Sequence, residues 1–510
     1  MLSGGGSSGV SHIGVLKALE ENNIPIDYIT GTSMGALVGG LYAAGYSPQE
    51  IEAIFLSDSF KDWAEGNLDE KYIYYLRVKD ENASMITFKI DLDTLLETSL
   101  PTNLISPIVV DYGLMSYFAP SSAAANNNFD SLFIPYRCVA SDIISKKAFI
   151  LKKGKLATAI RASMAYPFYL TPIPYEGKLL FDGGLYNNFP SDVMYNDFLP
   201  DYIIGSNVSS NFKAPDEDNL VSQVKAIIAD NTEYFIACDN AILIEPASSE
   251  FSLFDFSKNE ELIKIGYDAT IQQMESLKND IQRRKDIYEL IEQRKNYRET
   301  LPKLIFEDVE VEGMNQAQNK YVRKSLRFKD NTVSAEDLKP EYIKVSSDDK
   351  IKKIYPQAVF NKETKNFTLK LTAKEEKDLF VSFGGVFSTR PINEAYIGLQ
   401  YNILSKTAVS LLANTYFGKL HNSVSAGFRL DFPFTVPFYW KNSFTIDGWD
   451  YFKSSSTLFE DTKPSFLIIN DQYFSSELAF PVAYKGKIIL DGTAGEMINN
   501  YYQTKPWQSS

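Results

Sequence analysis

The 510-residue sequence contains very little cysteine and histidine and no excess of positive charge. Cys138 and Cys238 lie 100 positions apart, and no C-x-x-C pair is present. Because a Cys/His zinc site needs several ligands at short spacing and a disulfide framework needs several cysteines, neither is expected. We therefore expect no metal and no cofactor. With 51 Lys and Arg against 65 Asp and Glu, the net charge of −14 also makes nucleic acid an unsuitable partner.

Long apolar runs and an export signal are also missing. No segment has eighteen or more uncharged apolar residues, so the sequence predicts no transmembrane helix. No signal peptide is recognisable, and the three residues before the first glycines are too few for a strand, so we expect the chain to begin inside its first strand. The length predicts roughly three domains.

Residues 26–41 combine a short β-branched and aromatic run, a turn around Ser33 and a helical run of small residues. Gly31 and Gly35 complete a G-x-S-x-G spacing, which is typical of a sharp strand-to-helix turn that exposes the serine hydroxyl. The positive end of the following helix favours a developing negative charge at this point. Ser33 is therefore a candidate nucleophile, and a plain helix N-cap is the alternative interpretation.

A glycine-rich stretch, GGGSSG, opens an earlier helix. The backbone N–H groups around Gly4, Gly5, Gly6 and Gly9 are not covered by side chains, and such groups at a helix start are suited to bind an oxyanion. The same glycines match the dinucleotide fingerprint G-x-G-x-x-G. That fingerprint needs an acidic residue at the end of the second strand, whereas Asp27 stands at its start. The stretch therefore indicates an oxyanion hole more than a nucleotide site.

A serine nucleophile needs a base, which is usually histidine. His12 lies on the helix after the glycine stretch, where a packed or capping histidine is expected. His421 lies far away in the C-terminal region. No Ser-His-Asp triad is therefore predicted, and a carboxylate must act as the base.

Asp182 is the preferred base because it ends a predicted strand and precedes Gly183 and Gly184, which allow a tight turn close to another backbone. An ordinary aspartate pKa of ~3.9 makes a weak base, so the surroundings must raise that pKa or hold the carboxylate within hydrogen-bond reach of the serine. Asp142 and Asp192 are the other candidates. A simple turn is the alternative to a catalytic role for the D-G-G motif.

Alternating helices and strands over residues 1–300 predict an α/β domain with a mostly parallel sheet. Residues 61–130 are predicted to form loops and short helices over the site. The predicted strands are 136–142, 177–181, 203–207 and 241–245, and the predicted helices are 10–22, 36–44, 155–164, 219–239 and, as one or two helices, 257–299.

Residues 303–374 change to a β-α-α-β-β order, which predicts a small independent module. Beyond residue 378, apolar and polar residues alternate in segments of about ten residues, which is typical of transmembrane β-barrel strands. Roughly seven strands are predicted over 378–510, too few to close a bacterial barrel. A soluble β-sandwich is the alternative interpretation.

Taken in order, GGGSSG, GTSMG and DGG resemble the three signature motifs of the patatin-like phospholipases, and the phrases HIGVLKALEE and RASMAYPF extend the resemblance over residues 1–210. It implies a three-layer α/β/α sandwich, with Ser33 as nucleophile, Asp182 as proton acceptor and the backbone of residues 4–6 as the oxyanion hole. Ser8 departs from the family, which usually carries Arg or Lys there.

The whole chain resembles patatin-like proteins anchored in Gram-negative outer membranes by a polypeptide-transport-associated (POTRA) module and a surface-antigen barrel. This implies domains at 1–300, 303–374 and 378–510, a phospholipid or other acyl ester as substrate, and an enzyme domain that is periplasmic or surface-exposed. Because the family barrel has more strands than this chain supplies, we expect a fragment. A secretion or assembly protein that carries the first domain as a passenger is the alternative.

Overall fold

A computed structural model describes residues 1–68, 72, 74–78, 80–90, 103–211, 216–218, 223, 226–236, 238–328, 332–376, 378–387, 393–450, 466–483 and 485–502. The α-helices are α1 (Ser11–Glu21), α2 (Met34–Ala43), α3 (Pro48–Phe55), α4 (Asp58–Glu65), α5 (Ile108–Ala124), α6 (Leu156–Ser163), α7 (Ser191–Phe198), α8 (Asn259–Gln272), α9 (Met274–Asp280), α10 (Ile287–Glu299), α11 (Gln316–Ser325) and α12 (Ala335–Ser346).

The β-strands belong to three regions of the chain. Those of the first region are β1 (Ile29–Thr32), β2 (Ser84–Ile90), β3 (Tyr136–Asp142), β4 (Lys147–Leu151), β5 (Ile173–Tyr175), β6 (Lys178–Asp182), β7 (Ile203–Ser206) and β8 (Ala241–Ile244). The second region contains β9 (Ile305–Glu312), β10 (Val333–Ser334), β11 (Ile351–Phe360) and β12 (Phe367–Glu375). The third contains β13 (Leu379–Val386), β14 (Glu394–Leu404), β15 (Ala408–Gly418), β16 (His421–Phe432), β17 (Phe438–Asp450), β18 (Phe466–Val482) and β19 (Gly486–Tyr502).

The sheet that carries the site has β3 at its centre. Its order is β1-β3-β6-β5, with β4 also paired to β3. Strand β1 runs parallel to β3, whereas β4 and β6 run antiparallel to it. Strands β7 and β8 form a parallel pair, which Leu2 joins to β1 through bridges to Ser206 and Gly31. Every residue of β3 is buried, in agreement with the strand predicted at 136–142.

The predicted mostly parallel sheet is wrong for the strands from β3 to β6. Strands β5 and β6 are joined by Glu176 and Gly177, whose φ angles are 47° and 76°. Two residues with positive φ make the tight turn of an antiparallel hairpin, whereas a parallel pair needs a crossover of about a dozen residues or more. The short connection therefore determines the antiparallel direction.

Helices cover both faces of the combined sheet. In β7, Ile203 and Ile204 point to opposite faces because side chains alternate along a strand. Ile203 packs with Met194 of α7, whereas Ile204 packs against Val15 and Leu19 of α1. The sheet therefore lies between two helical layers, which gives an α/β/α sandwich.

Residues 305–375 form a separate four-stranded sheet with the order β10-β9-β12-β11. The predicted β-α-α-β-β order is confirmed, with the two-residue strand β10 added. Asn315 and Gln318 form a capping box at the start of α11. The hydroxyl of Tyr112 in α5 donates to the backbone carbonyl of Ala335 at 2.6 Å, so this module contacts the first domain. The exact domain boundaries remain predictions.

A large antiparallel sheet of eight described strands follows the order β19-β18-β17-β16-β15-β14-β13-β2. Strand β2 comes from the region predicted to form loops and short helices, and this prediction is wrong for that segment. Its partner β13 is distant in sequence, since Leu379 pairs with Ile90, so no local pattern marks the pairing. Parts of the predicted strand region, 451–465 and 503–510, lie outside the described residues.

The other helix predictions have mixed outcomes. Helices α1, α2 and α6 confirm those predicted at 10–22, 36–44 and 155–164. The segment 257–299 forms three helices rather than one or two. The helix predicted at 219–239 falls partly outside the described residues, and residues 231–236 are not helical. Within the described ranges, no helix is long and apolar enough to cross a membrane.

Candidate active site

Ser33 lies at the turn between β1 and α2. Its backbone has φ 54° and ψ −120°, a left-handed conformation that costs a residue with a side chain about 1–3 kcal/mol. The flanking glycines permit the turn. A Cβ at Gly31 would lie 2.4 Å from the carbonyl oxygen of Gly35, and a Cβ at Gly35 would lie 2.4 Å from that of Ser3. Both positions therefore need glycine, and the strained serine is the one side chain at the apex.

The serine hydroxyl contacts the carboxylate predicted to be its partner. Ser33 Oγ donates to Asp182 Oδ2 at 2.6 Å, and the backbone N–H of Gly184 donates to Asp182 Oδ1 at 2.8 Å. Asp182 is only 3% exposed. This burial raises the pKa of Asp182 from 3.8 to about 6, against the lowering effect of the bonds from Ser33 and Gly184. The geometry thus provides a carboxylate whose pKa is closer to neutrality, within direct reach of the serine.

The glycines after Asp182 allow this turn to approach the rest of the site. A Cβ at Gly183 would lie 2.1 Å from the carbonyl oxygen of Val139, and a Cβ at Gly184 would lie 2.7 Å from Asn188 Oδ1. The D-G-G motif is therefore a turn pressed against β3, and its tight packing delivers the carboxylate to Ser33.

The glycine stretch lies beside the dyad, but its N–H groups differ in availability. The N–H of Gly4 donates to the backbone carbonyl of Asn188 at 3.0 Å. Among the described residues, no acceptor is found for the N–H groups of Gly5 and Gly6, and both residues line the cavity that contains Ser33. Gly6 has φ 55°, and a Cβ there would lie 2.2 Å from the carbonyl oxygen of Leu253. The donors available to an oxyanion are therefore Gly5 and Gly6, with Gly4 already engaged.

The remaining residues of this stretch support the site by packing. A Cβ at Gly9 would lie 2.5 Å from the Cβ of Met34, so Gly9 allows the 3-10 turn Gly6–Val10 to approach α2. Ser8 is buried, and its hydroxyl donates to the backbone carbonyl of Ser248 at 3.1 Å. The resemblance leads us to expect Arg or Lys at position 8. Ser8 instead has a short side chain that faces the interior.

The two histidines lie outside the dyad. His12 is fully buried, and burial lowers its pKa to about 4. Its Nε2 lies 2.9 Å from the carbonyl oxygen of Ser3, which only accepts, so Nε2 carries the proton and donates. Its Nδ1 then accepts from the hydroxyl of Ser206 at 2.8 Å. His12 is thus a neutral packed histidine, as predicted, and His421 lies at the start of β16 in the large sheet.

The other candidate carboxylates have partners of their own. Asp142 accepts from Lys178 Nζ at 2.9 Å and from Ser145 Oγ at 2.7 Å. Asp192 accepts from Asn187 Nδ2 at 2.8 Å. Neither is followed by a glycine pair like that after Asp182, and among these three only Asp182 contacts the serine.

A cavity of about 130 Å³ opens from the dyad. Its walls combine the dyad and glycine stretch with many apolar and aromatic side chains. The apolar lining includes Phe60, Trp63, Ile105, Val110, Met164, Tyr169, Leu170, Leu253, Phe254 and Phe256. Trp63, Ile105 and Val110 come from residues 61–130. The prediction that this range covers the site is therefore confirmed for these parts of it, whereas β2 lies in the large sheet. No sequence motif marks these individual positions.

Asn188 has a structural role in this site that the sequence did not reveal. Its backbone carbonyl accepts from Gly4, its Oδ1 approaches Gly184, and its Nδ2 donates to the hydroxyl of Tyr234 at 3.1 Å. Asn188 therefore bridges the glycine stretch and the D-G-G turn. The polar Asn-Asn pair after the motif was its only sequence signal.

Neither a metal site nor the dinucleotide alternative gains support here. Among the described residues, no group of three or more His, Cys, Asp or Glu side chains has the arrangement of a metal site. Asp27, which would have to hold a ribose, lies before β1 and pairs with Arg283.

Residues 1–195 match the family model described as Patatin-like phospholipase. Patatin-like phospholipase domain-containing protein 6 of Homo sapiens is 33% identical over 196 residues, which covers 38% of this chain and 12% of that protein. Patatin-like phospholipase domain-containing protein ZK370.4 of Caenorhabditis elegans is 32% identical over 201 residues, which covers 38% of this chain and 12% of that protein. Lysophospholipase NTE1 of Meyerozyma guilliermondii is 28% identical over 295 residues, covering 52% of this chain and 18% of that protein.

This chain thus spans 12–18% of the length of these relatives. The matched range contains the glycine stretch, the G-x-S-x-G turn and the D-G-G turn whose geometry is described above. Both the family model and these relatives therefore support a patatin-like phospholipase domain in residues 1–195.

Proposed function

We propose that this chain is a lipid acyl hydrolase in which Ser33 is the nucleophile and Asp182 the general base. The observation that carries the proposal is the 2.6 Å contact between Ser33 Oγ and Asp182 Oδ2 at one end of an apolar cavity. The match to the patatin-like phospholipase family supports the same chemistry.

The reaction begins when Asp182 accepts the hydroxyl proton of Ser33 and Ser33 Oγ attacks the ester carbonyl carbon. A pKa of about 6 suits Asp182 to this task near neutral pH, since a base works best when its pKa lies near the operating pH. The carbonyl oxygen becomes a tetrahedral oxyanion, which the N–H groups of Gly5 and Gly6 stabilise.

Collapse of this intermediate breaks the bond to the alcohol, which leaves with the proton held by Asp182. The product is an acyl-enzyme on Ser33. Asp182 then accepts a proton from water, the resulting hydroxide attacks the acyl carbon, and the fatty acid leaves as the proton returns to Ser33. Atoms balance as one ester and one water converted into one alcohol and one acid.

The cavity lining favours a substrate with an apolar acyl chain. Aromatic and aliphatic side chains such as Trp63, Val110 and Phe256 remove hydrocarbon from water, which contributes about 0.8 kcal/mol for each buried CH₂. The proposed substrate is therefore a phospholipid or another long-chain acyl ester.

Anchoring in a bacterial outer membrane, with the large sheet as part of a β-barrel and residues 303–374 as a POTRA-like module, is the second part of the proposal. One row of the sheet register joins five residues: Leu399 pairs with Ala413, Ala413 with Ala426, Ala426 with Phe444, and Phe444 with Phe474. Directly paired residues share one face of an antiparallel sheet. Leu399, Phe444 and Phe474 are 46%, 47% and 48% exposed, so this face presents apolar side chains that lipid would cover.

The membrane proposal is tested by fractionation of bacterial cells that express the chain behind an added export signal, followed by extraction of the membranes at alkaline pH. We expect the chain to stay with the outer-membrane pellet. Recovery in the soluble extract would overturn the anchoring while leaving the hydrolase proposal intact.

The hydrolase proposal is tested by Ser33→Ala and a chromogenic short-chain ester, with Ser191→Ala as the matched control. Ser191 is a buried serine whose hydroxyl donates to the carbonyl of Phe235 at 3.0 Å, and it does not line the cavity of the dyad. We expect Ser33→Ala to abolish hydrolysis and Ser191→Ala to retain it. Retained hydrolysis in folded Ser33→Ala would overturn Ser33 as the nucleophile. A folded wild-type chain whose Ser33 is not labelled by a fluorophosphonate would favour the passenger alternative, in which the membrane part performs the function.

A further inference from the structure

One short segment contacts the backbone of both members of the dyad. Ser163 ends α6, and its Oγ accepts from the N–H of Ser33 at 2.8 Å. Two residues later, the carbonyl of Ala165 accepts from the N–H of Asp182 at 3.0 Å. Ser33 and Asp182 are 149 positions apart in the sequence, yet the same three-residue segment holds both backbones.

The direction of the bonds at Ser163 follows from its partners. The carbonyl oxygen of Val139, 2.5 Å from Ser163 Oγ, only accepts, so the hydroxyl proton of Ser163 points to Val139. The hydroxyl lone pairs are then directed to the N–H of Ser33. Ser163 therefore links the strained turn to β3, the central strand of the sheet.

A serine at a helix terminus often has only a local role, in which its hydroxyl bonds a carbonyl of its own helix. Ser163 does not follow this pattern. The last turn of α6 is closed by the backbone N–H of Met164, which donates to the carbonyl of Ile160. The hydroxyl of Ser163 leaves the helix and is used entirely between β3 and the serine turn.

Helix α6 provides a fixed support for this contact. Arg161 Nε and Asp111 Oδ1 of α5 form an ion pair at 2.6 Å, and both side chains are almost fully buried. Arg161 also donates to Thr171 Oγ1 at 3.3 Å. A side chain only two residues before Ser163 is therefore held in place by α5, so the end of α6 has little freedom to move away from the dyad.

We propose that Ser163 is a positioning residue that keeps the strained Ser33 turn in the geometry needed for contact with Asp182. This proposal rests on the proposed function of Ser33 as nucleophile. Without the Ser163 hydroxyl, the half-buried N–H of Ser33 loses its acceptor, and the turn relaxes away from φ 54°. A displacement of about 1 Å at a reacting group reduces a rate by about 10²-fold.

The test compares Ser163→Ala with the matched variant Ser121→Ala. Ser121 is a buried serine of α5 whose hydroxyl donates to the carbonyl of Phe118 at 3.1 Å, so its loss reports the general effect of removing a buried hydroxyl. The readouts are the rate of labelling by a fluorophosphonate, kcat and KM for an ester, and the thermal midpoint. We expect Ser163→Ala to lose about 10–100-fold in labelling rate and kcat with little change in KM.

Ser163→Cys is the conservative variant, because a thiol of similar size is a weak donor and acceptor. We expect its labelling rate to lie between those of the wild type and Ser163→Ala. If Ser163→Ala does not fold, Ser163→Cys decides, and a wild-type rate in that variant would overturn the proposal.

Three further results would overturn it. If Ser163→Ala is labelled at the same rate as Ser121→Ala, Ser163 contributes only to packing. If the substitution changes only KM, Ser163 acts in substrate binding instead. If the folded wild-type chain is not labelled at all, Ser33 is not the nucleophile, and Ser163 then has no nucleophile to position. The first two results leave the proposed function of Ser33 standing, which distinguishes the two failures.

Discussion

Asp182→Asn should stabilise the chain at neutral pH while it abolishes activity. The carboxylate of Asp182 is buried, and its pKa is raised from 3.8 to about 6 by that burial. An asparagine side chain of nearly the same shape keeps an oxygen for the N–H of Gly184 and offers an amide to Ser33 Oγ. The variant therefore removes a buried charge and leaves the packing nearly unchanged.

The magnitude follows from the two pKa values of Asp182. The difference between 3.8 in the unfolded chain and about 6 in the folded chain, at 1.36 kcal/mol for each unit, corresponds to about 3 kcal/mol. Because the folded pKa is the higher one, the neutral carboxyl supports folding below pH 3.8, and this contribution is lost as the pH rises through about 6. Asp182→Asn has no such loss, so its stability relative to the wild type should increase by about 3 kcal/mol across this window.

Thermal unfolding of both proteins at about pH 4 and about pH 7 measures this difference. At about pH 4 the unfolded carboxyl is already partly ionised, so about 2.4 kcal/mol of the difference falls between the two pH values. In a cooperative unit of 150–250 residues, about 1 kcal/mol moves the midpoint by about 2–4 °C, so the advantage of Asp182→Asn should grow by about 5–10 °C. Asp192→Asn is the matched control, because Asp192 is exposed and lies outside the dyad. An advantage of Asp182→Asn that is equal at both pH values would refute the reasoning, since it would mean that the pKa of Asp182 is the same in the folded and unfolded chain.

The pH dependence of catalysis and two further substitutions provide independent tests. Measured as an initial-rate profile, kcat/KM should rise with a one-proton slope to a plateau above about pH 6, because Asp182 must be ionised to act as a base; a flat profile would contradict this. Gly6→Ala should reduce kcat by about 10²–10³-fold, since the added Cβ meets the carbonyl of Leu253 and displaces an oxyanion donor; unchanged kcat would remove Gly6 from the hole. Arg161→Ala should lower the free energy of unfolding by about 3–5 kcal/mol, because it leaves the carboxylate of Asp111 buried and unpaired; denaturant titration would show this, and a loss below about 1 kcal/mol would contradict it.

The elements that sequence alone revealed are those fixed by local backbone geometry. At the Ser33 turn, glycine is needed on both sides because another backbone lies within 2.4 Å of each missing Cβ. The same holds for Gly183 beside Val139. Such requirements leave a fixed spacing in the sequence, so the serine, the helix that follows it and the aspartate could be predicted from short motifs.

The features that the sequence did not reveal depend on partners that are far away. Strand β2 pairs with β13, which follows it by about 290 residues, and nothing within residues 84–90 indicates that partner. The N–H of Gly4 is engaged by Asn188 because the D-G-G turn is followed by a segment that returns to the glycine stretch. Ser163 contacts Ser33 only because β1, β3 and α6 meet in three dimensions. These residues are brought together only by the completed fold, so no sequence motif of fixed spacing predicts their contacts.

Mass-spectrometric mapping of the fluorophosphonate adduct on the wild-type chain tests the central claim most directly. We predict one covalent adduct, on the peptide that contains Ser33, and no adduct in Ser33→Ala. The reason is that Ser33 Oγ is activated by its contact with Asp182 and opens onto the cavity. An adduct on a different serine, or none on a folded chain, would contradict the assignment of Ser33 as the nucleophile.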